Sequence, residues 1–405
     1  MKVLHVIASV DPRWGGPVEG VLASSRILFE FGHEAHVLSL DPPDADFLQN
    51  MPVPTFAVGV SGRVHHVLRR KIRLLRFAYT PGLAAWLNAH ADDYDAVIIN
   101  GLWNYASSGT WRALRKSGVP YFVFVHGMLD PWFNKRSLVK TSLKRIFWKA
   151  LERKVLRDAR GVLFTCEEER RLARLSFAPY EARELVVGYG TQDIGGDAKA
   201  QLAAFHAQAP SVRGRKLILY LSRIDAKKGV DLLIQAFARH AARFPEVDLV
   251  IAGPDQNGLQ ESLEGLARDL KIADRICWPG MLSGEAKWGA FRAADVFALP
   301  SHQENFGVAI VEALALHTPV LITNKVNIWR EIEADGAGLV VNDDIEGVSA
   351  GLARMLALSQ DERQSMGEAG RQSFERRYDV RKASLDLIEA LGRELQRRSG
   401  ASLPI

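Results

Sequence analysis

Short apolar segments of strand type alternate with longer segments of helical period, and the alternation runs through the chain twice. This pattern restricts the fold more than any other feature. A strand, a helix and a second strand in succession pair in parallel, because the chain must cross back before pairing again. In the first half, residues 3–8, 36–40, 96–100, 121–125 and 161–165 read as strands, with helices near 17–31, 104–116 and 136–158. In the second half the strands are 217–221, 249–252, 275–278, 296–299 and 320–323. A length of 405 residues exceeds one ordinary core and suggests two domains. The expected class is α/β, with two doubly wound, Rossmann-like domains covering 1–190 and 191–379. Gly, Pro and polar residues in GTQDIGGD and APSVRGR mark the connection between them, within 189–214. The amphipathic stretch from Val380 to Arg398, within 380–405, is expected to return to the first domain. A ligand cleft between the domains is the default site.

Composition narrows the setting. Hydrophobic content of 47% and charged content of 24% fit a soluble globular protein. The sequence has no apolar run of 18 residues, and MKVLHVIASV reads as a first strand, not a signal peptide. Cys166 and Cys277 supply neither a disulfide framework nor a metal pair, so a reducing cytoplasm is expected. The net charge of +5 is unevenly shared: residues 1–190 hold 26 Lys/Arg against 18 Asp/Glu, and the remainder 26 against 29. The stretch that begins at Arg63 and ends at Arg76 has six cations and no acid, interleaved with Val, Leu and Ile. It suits a helix attached peripherally to an anionic lipid surface; the alternative is an ordinary solvated helix face. The basic run 135–160 poses the same choice. No nucleic-acid motif accompanies the charge, and nucleic acid is not an expected partner.

Ligands of doubly wound sheets bind at the carboxyl ends of strands. The segment SHQENFGVAIVEALALHTPVLIT, residues 301–323, reads as a loop, a helix over 306–316 and a strand. Gly307 leaves open the helix N-terminus, which favours an anion. Glu304 would sit beside such a ligand, and Glu312, about two turns into the helix, would reach a diol. In the bland alternative, Glu304 complements the helix dipole and Glu312 faces solvent. Arg223 and Lys228, in LSRIDAKKG after the strand 217–221, form a pair able to grip a diphosphate, or are surface charge. Gly15 and Gly16 permit close backbone approach to phosphate or sugar, or form a plain turn, and they do not make the G-x-G-x-x-G of a dinucleotide site. Of the eleven histidines, His126 alone follows a buried strand into a glycine, placing it to donate to a substrate hydroxyl or to developing negative charge. A structural role is the alternative. Asp44 and Asp46 lie in a Pro-rich loop without companion ligands and read as loop chemistry.

Taken together, LSRIDAKKG, PS-x-x-E-N-F-G-x-x-x-x-E-A-L-A with T-P-V-L after it, the GG loop and the strand-end HG resemble the family 4 glycosyltransferases of GT-B fold. The resemblance spans nearly the whole chain in order. It implies transfer of a hexose, with retention and without a required metal or cofactor, from a UDP- or GDP-sugar to a glycan or lipid-linked acceptor. Bacterial surface polysaccharide or lipopolysaccharide synthesis is the implied setting. It also implies that Arg223 and Lys228 hold the diphosphate and Glu312 the ribose. Glu304 with the backbone of Asn305, Phe306, Gly307 and Val308 would hold the sugar, with His126 near its hydroxyls. The loop from Pro279 through Gly280, Met281 and Leu282 would contact the base, and Gly15 and Gly16 the phosphate and sugar side. Asn305 stands where many relatives have Gly, and YGTQD replaces the usual N-G-V-D, so nothing is carried over from that motif. A nucleotide-sugar epimerase of the same fold and a non-catalytic sugar-nucleotide-binding protein are the rival readings.

Overall fold

The computed structural model describes residues 1–61, 78–134 and 138–397. It divides into two compact units, Met1–Gly190 together with the helix that begins at Val380, and Thr191–Asp379. The basic stretch from Arg63 to Arg76 lies outside the described residues, as do residues 135–137 of the second basic run.

The first unit is built on seven described strands: β1 (Lys2–Ile7), β2 (Glu34–Ser39), β3 (Thr55–Ala57), β4 (Ala96–Asn100), β5 (Tyr121–Phe124), β6 (Gly161–Phe164) and β7 (Glu184–Val186). They pair in parallel in the order β3-β2-β1-β4-β5-β6-β7. The second unit carries β8 (Lys216–Leu221), β9 (Val247–Ala252), β10 (Ile276–Gly280), β11 (Val296–Leu299), β12 (Val320–Thr323) and β13 (Gly338–Val341), also parallel, in the order β10-β9-β8-β11-β12-β13. Strand order reverses between β1 and β4 in one sheet and between β8 and β11 in the other. Loops leaving such a pair diverge and open a crevice at the carboxyl ends.

Neighbouring residues in the central strands go to opposite faces, and both faces are covered. Leu4, Val97 and Val123 join a core with Trp148 and Leu156, whereas Val3, Ile98 and Phe122 join one with Leu387 and Leu391. This two-sided burial is why the strands read as unbroken apolar runs. The second core includes the C-terminal helix Val380–Gln396. Each fully buried Leu contributes about 1.5–3 kcal/mol to that docking. Ser384 Oγ lies 2.9 Å from Ser24 Oγ, and Arg160 Nε donates to the Glu394 carbonyl at 2.8 Å.

Three strands depart from the sequence reading. β3, β7 and β13 were not expected, and each is an edge strand of three or four residues without a continuous buried run. An edge strand packs less and carries a weaker apolar signal. The helix expected over 306–316 spans Val308–Ala315, with Phe306 and Gly307 in the loop before it. The described part of the helix near 136–158 runs from Leu138 to Asp158 through a wider π turn at Trp148–Glu152. On that helix Leu143 and Ile146 are 51% and 66% exposed, whereas Trp148, Val155 and Leu156 are buried.

Candidate functional site

In the second unit the two loops at the strand-order reversal are tied together. After β8, Asp225 accepts from Lys227 N at 3.0 Å and caps the short turn Ala226–Lys228, which Gly229 ends in the left-handed region. From the β11 side, His302 N donates to the Lys227 carbonyl at 2.8 Å. Glu304 is held by its backbone: its N–H donates to the Lys325 carbonyl and its carbonyl accepts from Asn327 N, both at 3.0 Å. With both main chains fixed, the Lys228 ammonium and the Glu304 carboxylate form a largely buried ion pair. Burial alone would raise the Glu304 carboxyl. The charges of Lys228 and Lys227, with hydrogen bonds from Lys228 and the Asn305 backbone, outweigh it and hold the group below the usual carboxylate range. Burial and the neighbouring Lys228 push the Lys227 ammonium down. Arg223 is exposed at the mouth of the same loop, and its carbonyl accepts from Tyr220 Oη at 2.9 Å.

Gly307 starts the helix Val308–Ala315 at φ 79°, and no side chain caps it. A Cβ there would lie 2.6 Å from Ile310 Cδ1 and 3.2 Å from Glu304 Cγ, so the left-handed turn beside Glu304 requires glycine. Glu312 is only 4% exposed, which removes the solvent-facing alternative. Its Oε1 accepts from Lys287 Nζ at 2.6 Å, and Lys287 in turn lies over the Trp288 ring at 4.4 Å. Lys287 escaped the sequence reading because the contact joins two helices that only the fold brings together. Lys227 carries a sequence signal, the KK doublet of LSRIDAKKG.

The remaining expected residues divide between backbone and side chain. Asn305 Oδ1 accepts from Asn327 Nδ2 at 3.1 Å. Phe306 is buried edge-on against Tyr378, which leaves its main chain as the part able to meet a ligand. Gly280 ends β10 at φ 75°, Met281 is 69% exposed, and the Leu282 side chain is buried in the core. In the first unit Gly15 turns at φ 71° after β1 and Gly16 opens the helix Gly16–Glu30, its carbonyl accepting from Tyr189 Oη at 2.8 Å.

His126 leaves β5 at φ +48°, a strained backbone for a residue with a side chain. Its ring stacks on Phe124 at 4.4 Å, and Nε2 lies 3.1 Å from Asn100 Oδ1. Burial, with His5 nearby, pushes the imidazole down to about 3, so it is neutral near pH 7. Glu169 clamps the turn: it accepts from Gly127 N at 2.5 Å and from Thr165 N and Oγ1 at 2.6 and 2.7 Å. His5, Asn100, Tyr189 and Glu169 gave no sequence signal, since each lies inside or beside an ordinary apolar or charged run.

Comparison with known proteins places this geometry. Residues 15–190 match the model of the glycosyl transferase 4-like domain, and residues 203–373 that of glycosyl transferases group 1. The phosphatidyl-myo-inositol mannosyltransferase of Mycolicibacterium smegmatis is 27% identical over 403 residues, 96% of this chain and 92% of the relative. Among solved structures, sucrose-phosphate synthase from Thermosynechococcus elongatus superposes with a TM-score of 0.72 at 21% identity, over 98% of this chain and 99% of that one. Anabaena HepE, solved in complex with UDP, does so with a TM-score of 0.74 at 17% identity, over 97% and 100%. The two domain models in succession and the shared architecture lead to one assignment: the chain is a glycosyltransferase of family 4, with the GT-B fold.

Proposed function

We propose that the protein is a retaining, metal-independent hexosyltransferase that uses a nucleotide-diphosphate sugar. The observation that carries this reading is the buried Lys228–Glu304 pair at the β8/β11 reversal, beside the uncapped helix at Gly307. Arg223 and Lys228 bind the diphosphate, with the helix N-terminus behind them. Glu312 binds the ribose, and Met281 with the Gly280 backbone meets the base. Glu304, ionised, accepts from sugar hydroxyls together with main-chain groups from Asn305 to Val308, and His126 takes a further hydroxyl. Gly15 and Gly16 let the main chain approach the phosphate and sugar.

In the reaction the bond from the anomeric carbon to the β-phosphate oxygen breaks, and its electron pair leaves with the diphosphate. The acceptor hydroxyl oxygen bonds to the same face of that carbon, and its proton passes to the departing phosphate oxygen. Negative charge grows on the diphosphate, where Arg223, Lys228 and the helix N-terminus stabilise it. These cations supply the countercharge that a metal would otherwise give. UDP is the favoured nucleotide on the likeness to HepE and a lipid-linked acceptor on the likeness to the phosphatidyl-myo-inositol mannosyltransferase, while a glycan acceptor and a setting in surface polysaccharide synthesis rest on the family resemblance alone.

Glu312→Ala is expected to weaken UDP binding about tenfold, the loss of a charge-assisted hydrogen bond pair, as read by calorimetry. Unchanged affinity would remove Glu312 from the nucleotide site. Product analysis separates the rivals: free nucleotide and an altered sugar from donor alone would indicate an epimerase, and donor binding without turnover a non-catalytic protein. A cytoplasmic enzyme attached peripherally to an anionic membrane is part of the proposal, supported by exposed Leu143 and Ile146 beside exposed Arg145 and Lys149. Replacing the six cations between Arg63 and Arg76 by glutamine is expected to weaken sedimentation with phosphatidylglycerol vesicles, an effect that fades in high salt. Equal partitioning at low salt would favour a solvated face.

A further inference from the structure

His126 and His5 are joined through one side chain. Asn100, buried at the end of β4, has Oδ1 3.1 Å from His126 Nε2 and Nδ2 3.2 Å from His5 Nδ1. The two ends of an amide are told apart by their partners, and here a third contact decides. Nδ2 also lies 3.2 Å from the Ile98 carbonyl oxygen, an atom that only accepts. Exchanging the ends would set two oxygens against each other. The amide nitrogen therefore faces Ile98 and His5, and the amide oxygen faces His126.

Each assignment forces the next. An amide oxygen accepts, so His126 Nε2 carries the hydrogen. An amide nitrogen donates, so His5 Nδ1 is bare and the His5 hydrogen is on Nε2, a buried atom without a protein partner. Both rings are neutral near pH 7, since burial holds His126 at about 3 and His5 at about 4. Among the described residues, no protein group bonds to His126 Nδ1.

We infer that Asn100 is a positioning residue that fixes His126 as the Nε2–H tautomer, so that Nδ1 is the nitrogen left for substrate and acts as an acceptor. This rests on the reading that His126 meets a sugar hydroxyl. It sharpens that reading, because the hydroxyl then donates to the ring and the ring does not donate to it. Discrimination follows, since a sugar lacking that hydroxyl leaves Nδ1 unpaired.

The test is long-range 1H–15N spectroscopy of the histidines in the full chain at pH 7.5, with His126 assigned through His126→Gln. The wild type is expected to show hydrogen on Nε2 alone. Asn100→Ala should show both tautomers and lower kcat about tenfold, with KM for the nucleotide sugar within about twofold. Asn100→Asp keeps an acceptor against Nε2 and should restore a single tautomer. Its carboxylate also favours the imidazolium, so Nδ1 gains a proton at higher pH and the acid limb of kcat moves up by about one unit or more. The other groups around the ring are His5 from β1, Tyr189 after β7, Glu169 through Gly127 N and Asp386 of the C-terminal helix beside Gly188. Tyr189, Glu169 and Asp386 are the same in every variant; His5 and the Ile98 carbonyl lose the amide donor of Asn100 in both Asn100 variants, so the His5 tautomer is read in the same spectra. Hydrogen on Nδ1 in the wild type, or an unchanged spectrum in Asn100→Ala, would overturn the assignment. A normal kcat in Asn100→Ala while His126→Gln is inactive would overturn the positioning role. If instead His126→Gln itself transfers normally, the substrate role of His126 falls while the spectra still decide the tautomer.

Discussion

Replacing Lys228 by alanine is expected to lower kcat/KM for sugar transfer about 10³-fold, as removal of a charge aimed at a developing anion does. That corresponds to about 4 kcal/mol of lost transition-state stabilisation. Stability should fall as well. Lys228 and Glu304 are both largely buried, and breaking such a pair from one side costs about 3–5 kcal/mol because the other charge is left without its partner. Lys227 stays near Glu304 and should keep the loss toward the lower end. The combined change Lys228→Met with Glu304→Gln removes both charges. It should recover most of the urea midpoint and none of the transfer. Recovery of both would make the pair a structural contact and dismiss its role on the diphosphate.

The same pair carries a pH signature. The folded-state pKa of Glu304 lies below its unfolded value, so its contribution to stability is fully present above the unfolded pKa of about 4.3 and is lost as pH falls through the folded value. The stability gap between wild type and Lys228→Ala is therefore widest at neutral pH. Urea melts should show it narrowing below about pH 4, and a constant gap would mean that Glu304 is not the group responsible.

Gly229→Ala is expected to destabilise the second unit by about 3 kcal/mol and to disable the site at the same time. Gly229 sits at φ 66°, ψ 32°, where a Cβ costs about 1–2 kcal/mol. That Cβ would also lie 2.1 Å from the Pro300 carbonyl oxygen, a backbone atom at the end of β11, and overpacking adds about 1–3 kcal/mol. Relief requires the β8 and β11 loops to part, and these carry Lys228 and Glu304. For a unit of this size the melting midpoint should drop about 6–12 °C. Gly32→Ala provides the comparison: its φ is 76°, but a Cβ meets nothing within 4 Å, so it should show the backbone cost alone. Equal losses for the two would indicate that the contact with Pro300 is not what matters.

Apolar runs were the reliable part of the sequence. Strands β4, β11 and β12 lie where the runs 96–100, 296–299 and 320–323 put them, because two-sided burial demands an unbroken apolar segment. The edge strands β3, β7 and β13 lacked that demand and that signal. The residues of the proposed site divide in the same way. Glu304, Glu312, Arg223, Lys228 and His126 were legible because each stands at a strand end or inside a recognisable spacing. Lys287, Asn100, His5 and Glu169 were not, because each acts through a partner far away in sequence: 25 residues separate Lys287 from Glu312, and 95 separate His5 from Asn100.

By itself the sequence determined the α/β alternation, the family, and which loops carry the charges, since periodicity and local turn chemistry are properties of short segments. Only the tertiary structure decided the states of those groups. It buried Glu312 against Lys287, paired Lys228 with Glu304 so that the carboxylate stays ionised, and set an amide between two histidines so that each ring keeps one hydrogen in one place. The physical reason is that charge state and tautomer depend on desolvation and on hydrogen-bond partners, and both are fixed only when distant strands and helices close around a group.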